Sequence, residues 1–203
     1  DIIADSDNSM WIATSNYGLI HIEGDIRNPS TLKYYNYSFY NKRMLTNNVL
    51  CLHIDKSGRL WVGTEGGGIY LYNRQNDRFE EKNQEYNIPG DMVGSIEEDK
   101  NGNLWLGTNV GLVKLGAQMK SNEPVVRVYT EADGQGNFFI AQSACSREGE
   151  LFFGGYKGYN SFIPEDMEDI QGDVQFAITD IKIFNRSIST LPLEVQREIS
   201  PLT

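Results

Sequence analysis

The chain has 203 residues, 39% of them hydrophobic, and a formal net charge of −10. That length allows one domain and part of a second. The acidic balance argues against nucleic acid or an anionic membrane surface as a partner, because both call for a basic patch, and no run approaches the ~18 apolar residues of a membrane helix.

In chain order, Asp1-Ile-Ile-Ala-Asp5 reads as the end of a strand entering a turn, so the chain is expected to be a piece of a longer protein. Strands are predicted over Met10 to Thr14, Leu19 to Ile22 and Leu32 to Tyr37. A second group follows: Val49 to Ile54, a turn at Lys56-Ser57-Gly58, Leu60 to Thr64, a glycine loop, Ile69 to Tyr72, and Arg78 to Glu80. A third repeats that plan with Val93 to Glu98, Leu104 to Thr108, Leu112 to Leu115 and Val125 to Tyr129. A fourth runs from Phe138 to Ala141 through Leu151 to Phe153 to Tyr159–Phe162. Helix signals are poor, apart from a short candidate at Leu193 to Ile199.

The groups are copies of one sentence. Asp55-Lys-Ser-Gly58-Arg-Leu60-Trp61-Val-Gly63-Thr64 returns as Asp99-Lys-Asn-Gly102-Asn-Leu104-Trp105-Leu-Gly107-Thr108. A weaker copy spans Asp5 to Thr14, and a decayed one spans Gly149 to Gly155. The anchors Trp11, Trp61, Trp105 and Phe152 stand about 50, 44 and 47 residues apart, a spacing typical of propeller blades. Four short antiparallel strands per repeat is the composition of one blade. The expected class is therefore all-β: a propeller fragment of about four blades over residues 1–172. Past Pro164 the pattern changes. Val174 to Phe184 alternates without the Trp-x-Gly-Thr signature, and 173–203 reads as the first strands of a truncated β-sandwich.

The signature D-x-x-G-x-L-W-[VL]-G-T-x-x-G-[LI] resembles the two-component regulator propeller repeat. Asp55 to Ile69 and Asp99 to Leu112 carry nearly all of it. The segment Phe162 to Asn185 resembles the opening of the three-tyrosine, immunoglobulin-like module that follows such propellers. The resemblance implies the periplasmic sensor region of a hybrid two-component system. In that family two seven-bladed propellers and the sandwich precede a membrane helix and a histidine kinase. It implies an oligosaccharide ligand for the full ectodomain, a homodimeric parent sensor and no catalysis in this part. It also implies that the chain lacks blades of a larger ring, so self-association through open blade edges is expected. Two other readings remain open: a propeller lyase of the streptogramin-inactivating type, and a protein-interaction scaffold.

Candidate residues divide by role. The Trp anchors suit either stacking on sugar rings or packing between blades. Their identical context in every repeat favours packing, together with Gly63, Gly107, Thr64 and Thr108. Loops after the Trp strand offer Asn16, Tyr17, Glu65, Asn109, Tyr156 and Lys157, which differ between repeats as a ligand-reading face would. Asp99 to Asn103 resembles half of a calcium loop, but Val110 stands where the distal glutamate belongs, so no metal is expected. No cofactor is expected either. His21 and His53 fall inside strands and are read as core or interface histidines rather than catalytic bases. Cys51 and Cys145 are read as two buried thiols that do not pair.

Overall fold

The first three repeats each fold into a four-stranded antiparallel sheet whose strands pair in chain order. This computed structural model describes residues 1–38, 46–116, 125–130, 142–155 and 158–167, and the backbone of 182–183 and 186–187. Blade 1 comprises β1 (Ile2–Ala4), β2 (Met10–Thr14), β3 (Gly18–Glu23) and β4 (Lys33–Tyr37). Blade 2 comprises β5 (Val49–Ile54), β6 (Leu60–Thr64), β7 (Ile69–Asn73) and β8 (Arg78–Glu81). Blade 3 comprises β9 (Val93–Glu98), β10 (Leu104–Thr108), β11 (Gly111–Leu115) and β12 (Val126–Tyr129). Blade 4 shows three described strands, β13 (Ser143–Cys145), β14 (Leu151–Gly155) and β15 (Gly158–Phe162).

The chain divides into two compact units, Asp1–Met167 and Glu168–Thr203. In the second unit the described residues form one hairpin, β16 (Lys182–Ile183) with β17 (Arg186–Ser187). The expected boundary near residue 172, the helix at 193–199 and the strand at 138–141 lie outside the described residues. The sequence did not anticipate a helical turn after β8. Asn83–Tyr86 forms a single helical turn, α1, closed by Asn87 in the left-handed region at φ 53°.

The repeated sequence explains how blades stack. Side chains alternate across a strand, so Trp61 points to one face of blade 2 while Leu60 and Val62 point to the other. Leu60 and Val62 pack with Trp11, Leu19 and Tyr37 of blade 1. Trp61 packs with Leu104, Leu106 and Ile96 of blade 3. Trp105 in turn meets Leu151 and Phe153 of blade 4. Each seam therefore joins the Trp face of one blade to the opposite, apolar face of the next. Trp11, Trp61 and Trp105 have no exposed surface. Phe152 departs from the pattern. It holds the Trp register, opposite Ser161, yet is only half-buried, and its neighbour Phe153 supplies the buried ring. Phe152 lies on the outward face of the last described blade, and the seam with blade 3 uses the opposite face.

Gly63 is required by this stacking. A Cβ there would overlap the Cys51 Sγ and the Val93 carbonyl of the next blade. The inner strands also share an irregularity. Register slips by one residue between Val49 and Cys51 in β5, and opposite Gly107 and Thr108 in β9. Such bulges bend a strand and re-aim its side chains. The cysteine expectation is corrected in part. Cys51 is buried, but Cys145 is exposed. Cys145 pairs with Leu151 at the end of its strand, the register position held by the half-buried Ile54 and Glu98 in blades 2 and 3.

Candidate functional site

The aspartate that opens each signature is the residue that organises it. Asp55 Oδ2 accepts a hydrogen bond from the Trp61 indole Nε1 at 2.8 Å, and its Oδ1 accepts from the backbone N–H groups of Ser57 and Arg59, each at 2.9 Å. Asp99 does the same with Trp105 at 2.9 Å and with the Asn101 and Asn103 amides, each at 2.9 Å. Asp5 binds the Trp11 indole at 3.0 Å and receives the Arg74 guanidinium from blade 2 at 2.7 Å. One carboxylate thus closes the turn and satisfies a buried indole donor six residues on. A calcium role for Asp99 is thereby displaced: its oxygens are occupied by the protein's own donors. In blade 4 both partners change together, Ser146 standing for the aspartate and Phe152 for the tryptophan. The threonine at the strand end fixes the next loop. Thr14 Oγ1 donates to the Gly18 carbonyl at 2.7 Å, Thr64 to Gly68 at 2.8 Å, and Thr108 to Gly111 at 2.7 Å.

His21 belongs to this core. It stacks on Trp11 with ring centroids 3.9 Å apart, and its Nε2 lies 2.8 Å from Ser9 Oγ. Across the same strand pair in blade 3, Lys114 lies over Trp105 at 5.2 Å. His21 therefore covers the anchor as Lys114 does.

Several of these groups are shifted by burial and bonding. Burial alone raises Asp55, but hydrogen bonds from Trp61 and Arg59 outweigh it and hold the carboxyl below its ordinary value. Asp5 is lowered in the same way, burial being overcome by Trp11 and Arg74. Burial lowers both His21 and His53, against the pull of nearby carboxylates. For all four the folded chain binds fewer protons than the unfolded one. Their contribution is complete above the unfolded values, about 3.9 for Asp and about 6.5 for His, and is lost as pH falls through the folded ones. Burial raises Glu97, whose contribution has the opposite sign, present in acid and lost as pH rises through its folded value. Hydrogen bonds also hold Asp7, Asp25 and Glu80 below their ordinary values, so with Glu97 alone opposing them among the described residues the melting temperature is expected to climb between about pH 3 and about pH 7. A melting series that is flat or falls over that range would contradict these assignments.

The loops after β2, β6 and β10 emerge at the same end of their blades, together with the connections that enter β5 and β9. Antiparallel pairing dictates this. Asn16, Tyr17, Glu65 and Asn109 are exposed there, Tyr17 at 75%. The structure joins the loop that carries Glu65 to Asn109 through a residue that sequence reasoning missed. The Asp91 carbonyl accepts from Gly66 and Gly68 at 2.9 and 2.8 Å, and its carboxylate accepts from Asn109 Nδ2 at 2.9 Å. Asn48 Nδ2 donates to Glu65 Oε2 at 3.3 Å. In blade 1, the Tyr17 carbonyl accepts from Asn36 Nδ2 at 2.6 Å. No described contact ties Asn16 or Tyr17 to the Glu65 group. Tyr156 and Lys157 lie outside the described residues. Asp91 and Asn48 sit in the connections between blades, outside the repeated signature, so the repeat alignment gave no signal for them.

This geometry defines a β-propeller class of protein, with an acidic and amide-rich loop face carried by stacked blades. The two-component regulator propeller family model matches residues 44–66 and 87–110, and in those two segments the chain is similar to that repeat. No curated protein matches the sequence significantly. Among solved structures, the chain is similar to the extracellular domain of a proposed hybrid two-component system, BT4673 of B. thetaiotaomicron. The identity is 23% over 82% of this chain and 24% of that one, with a TM-score of 0.65. It is also similar to the extracellular domain of a second such system from that organism, BT3049, at 20% identity over 81% and 27% of the two chains, with a TM-score of 0.54. Virginiamycin B lyase of Staphylococcus aureus shares the fold at 16% identity over 81% and 55%, with a TM-score of 0.52. The likenesses are of fold, and the chain spans about a quarter of the BT4673 domain. Among the described residues no helix is long and apolar enough to cross a membrane.

Proposed function

We propose that the chain is a non-catalytic, extracytoplasmic ligand-sensing region of a hybrid two-component sensor. In this reading it lies in the periplasm and answers to oligosaccharides. Residues 173–203 begin the immunoglobulin-like module through which a dimeric parent reaches its histidine kinase. The observation that carries the reading is the pair of family repeats whose loops meet at Asp91. A rigid scaffold there presents Asp91 and Asn109, hydrogen-bonded to each other, beside the loop that carries Glu65, with the exposed Tyr17 ring at the same end of the blades. Amides and carboxylates pair with sugar hydroxyls, and an exposed ring offers a face to a pyranose. Binding transmits a signal only through a difference in affinity between two arrangements of the sensor.

Calorimetry on the chain with the responsive glycan tests this. Asn109→Ala and Tyr17→Ala are each expected to weaken binding by about tenfold, with stability unchanged within about 0.5 kcal/mol. Wild-type affinity in both variants would remove the loop face from the account.

Self-association of this chain is part of the same proposal. Met10 and Ile12 of blade 1 hold the register positions of Leu60 and Val62, yet are only half-buried, and Ile2 beside them is 61% exposed. Light scattering across a concentration series should show mass rising with concentration. A monomer throughout the series would reject it.

A further inference from the structure

The inner strands of blades 2, 3 and 4 enclose a small polar pocket that the loop face does not include. It has a volume of about 200 Å³ and is lined by His53, Ser95, Glu97, Gln142 and Ser143, with Asp1 at its rim. Among the described residues no lysine or arginine lines it. Ser95 is 2% exposed and its buried hydroxyl has no hydrogen-bond partner. The His53 Nε2 is likewise buried without one, and the nearest carboxylate oxygen, on Glu98, lies 3.9 Å away. Buried polar atoms are nearly always satisfied, by protein, water or ligand.

The scaffold does not require these residue types. His53 stands opposite Trp61, and Glu97 opposite Trp105. The same position opposite the anchor is Ile3 in blade 1 and Ala144 in blade 4. Ser95 stands opposite Gly107, where blade 2 has Cys51 opposite Gly63. Apolar side chains therefore serve equally well in the fold. A half-buried carboxylate whose interacting partner is the Ser143 hydroxyl is a costly choice unless a cation joins it. Asp1 adds a second carboxylate, held by the Leu52 N–H at 2.9 Å, and the amino terminus is 3.4 Å from the Ala13 carbonyl.

We infer that this pocket binds a small ligand through a primary ammonium group, held by the Glu97 carboxylate and the Ser95 hydroxyl. The Gln142 and Ser143 side chains line the same pocket and stand beside its neighbouring polar atoms. The volume corresponds to roughly seven waters, enough for one small ring and too little for a chain of sugars. No group of three or more His, Cys, Asp or Glu side chains suited to a metal ion occurs among the described residues, which favours an organic cation.

Nuclear magnetic resonance titration of the 203-residue chain with ethylamine, glucosamine and glucose tests the inference. Ethylamine and glucosamine should shift the signals of His53, Ser95 and Ser143, and glucose should not. Glu97→Gln, which keeps shape and removes charge, should weaken both amines by about tenfold or more. If neither amine moves those signals, the pocket holds water only and the inference is overturned. It is also overturned if glucose shifts them as strongly as glucosamine, or if Glu97→Gln binds the amines unchanged.

Discussion

Replacing Asp99 with alanine is expected to destabilise the chain by about 3 kcal/mol, read as a lower urea midpoint. The change strips the partner from the Trp105 indole N–H, which has no exposed surface, and from the amides of Asn101 and Asn103. A buried donor without a partner costs about 1–3 kcal/mol by itself. The turn amides add less, because water reaches them. Asp99→Asn keeps one acceptor oxygen and should recover part of the loss. Blade 4 supplies the internal control. Ser146 takes the place of the aspartate there, and its Oγ receives one backbone N–H, from Glu150 at 3.1 Å. Ser146→Ala should therefore cost no more than about 1 kcal/mol. Equal losses at Asp99 and Ser146 would show that the turn, and not the indole bond, is what the aspartate serves.

Trp61→Ala should cost more still, about 4–5 kcal/mol, placing it among the largest single-residue effects in the chain. Three losses combine. The indole leaves a cavity in the seam between blades 2 and 3. The Asp55 carboxylate, itself 4% exposed, loses a donor. The Arg59 guanidinium loses the ring it covers at 5.4 Å. Because the seam is shared, thermal unfolding of the two blades should lose its common midpoint. Hydrogen exchange would report this as faster exchange in both β6 and β10. Faster exchange confined to β6 would contradict a load-sharing seam.

Much of this was legible in the sequence, for a physical reason. A propeller repeats its packing, so every residue that makes a seam recurs at fixed spacing, and the strands, turns and anchors follow from that. The spacing of six between aspartate and tryptophan was also visible. Its meaning was not, since the hairpin that folds one over the other is a matter of register. Cys145 was misread because an apolar context does not tell the end of a strand from its middle. The helical turn at Asn83–Tyr86 is too short to show a helical period. The loop face was legible only where it lies in the repeated unit. Asp91 and Asn48 come from the connections between blades, outside that unit. Glu97 was hidden differently, as a polar residue in a strand position where apolar ones serve elsewhere, and His53 was read as a core or interface histidine.

The central claim is that the chain holds a saccharide and leaves it unchanged. The fold alone does not decide that, since virginiamycin B lyase shares it. Equilibrium dialysis of the chain against a mixed pool of oligosaccharides, followed by mass spectrometry of both compartments, decides it directly. The account predicts that at least one oligosaccharide accumulates on the protein side at its original mass. New product masses would make the chain an enzyme, and equal concentrations of every sugar on both sides would remove the saccharide ligand from the account.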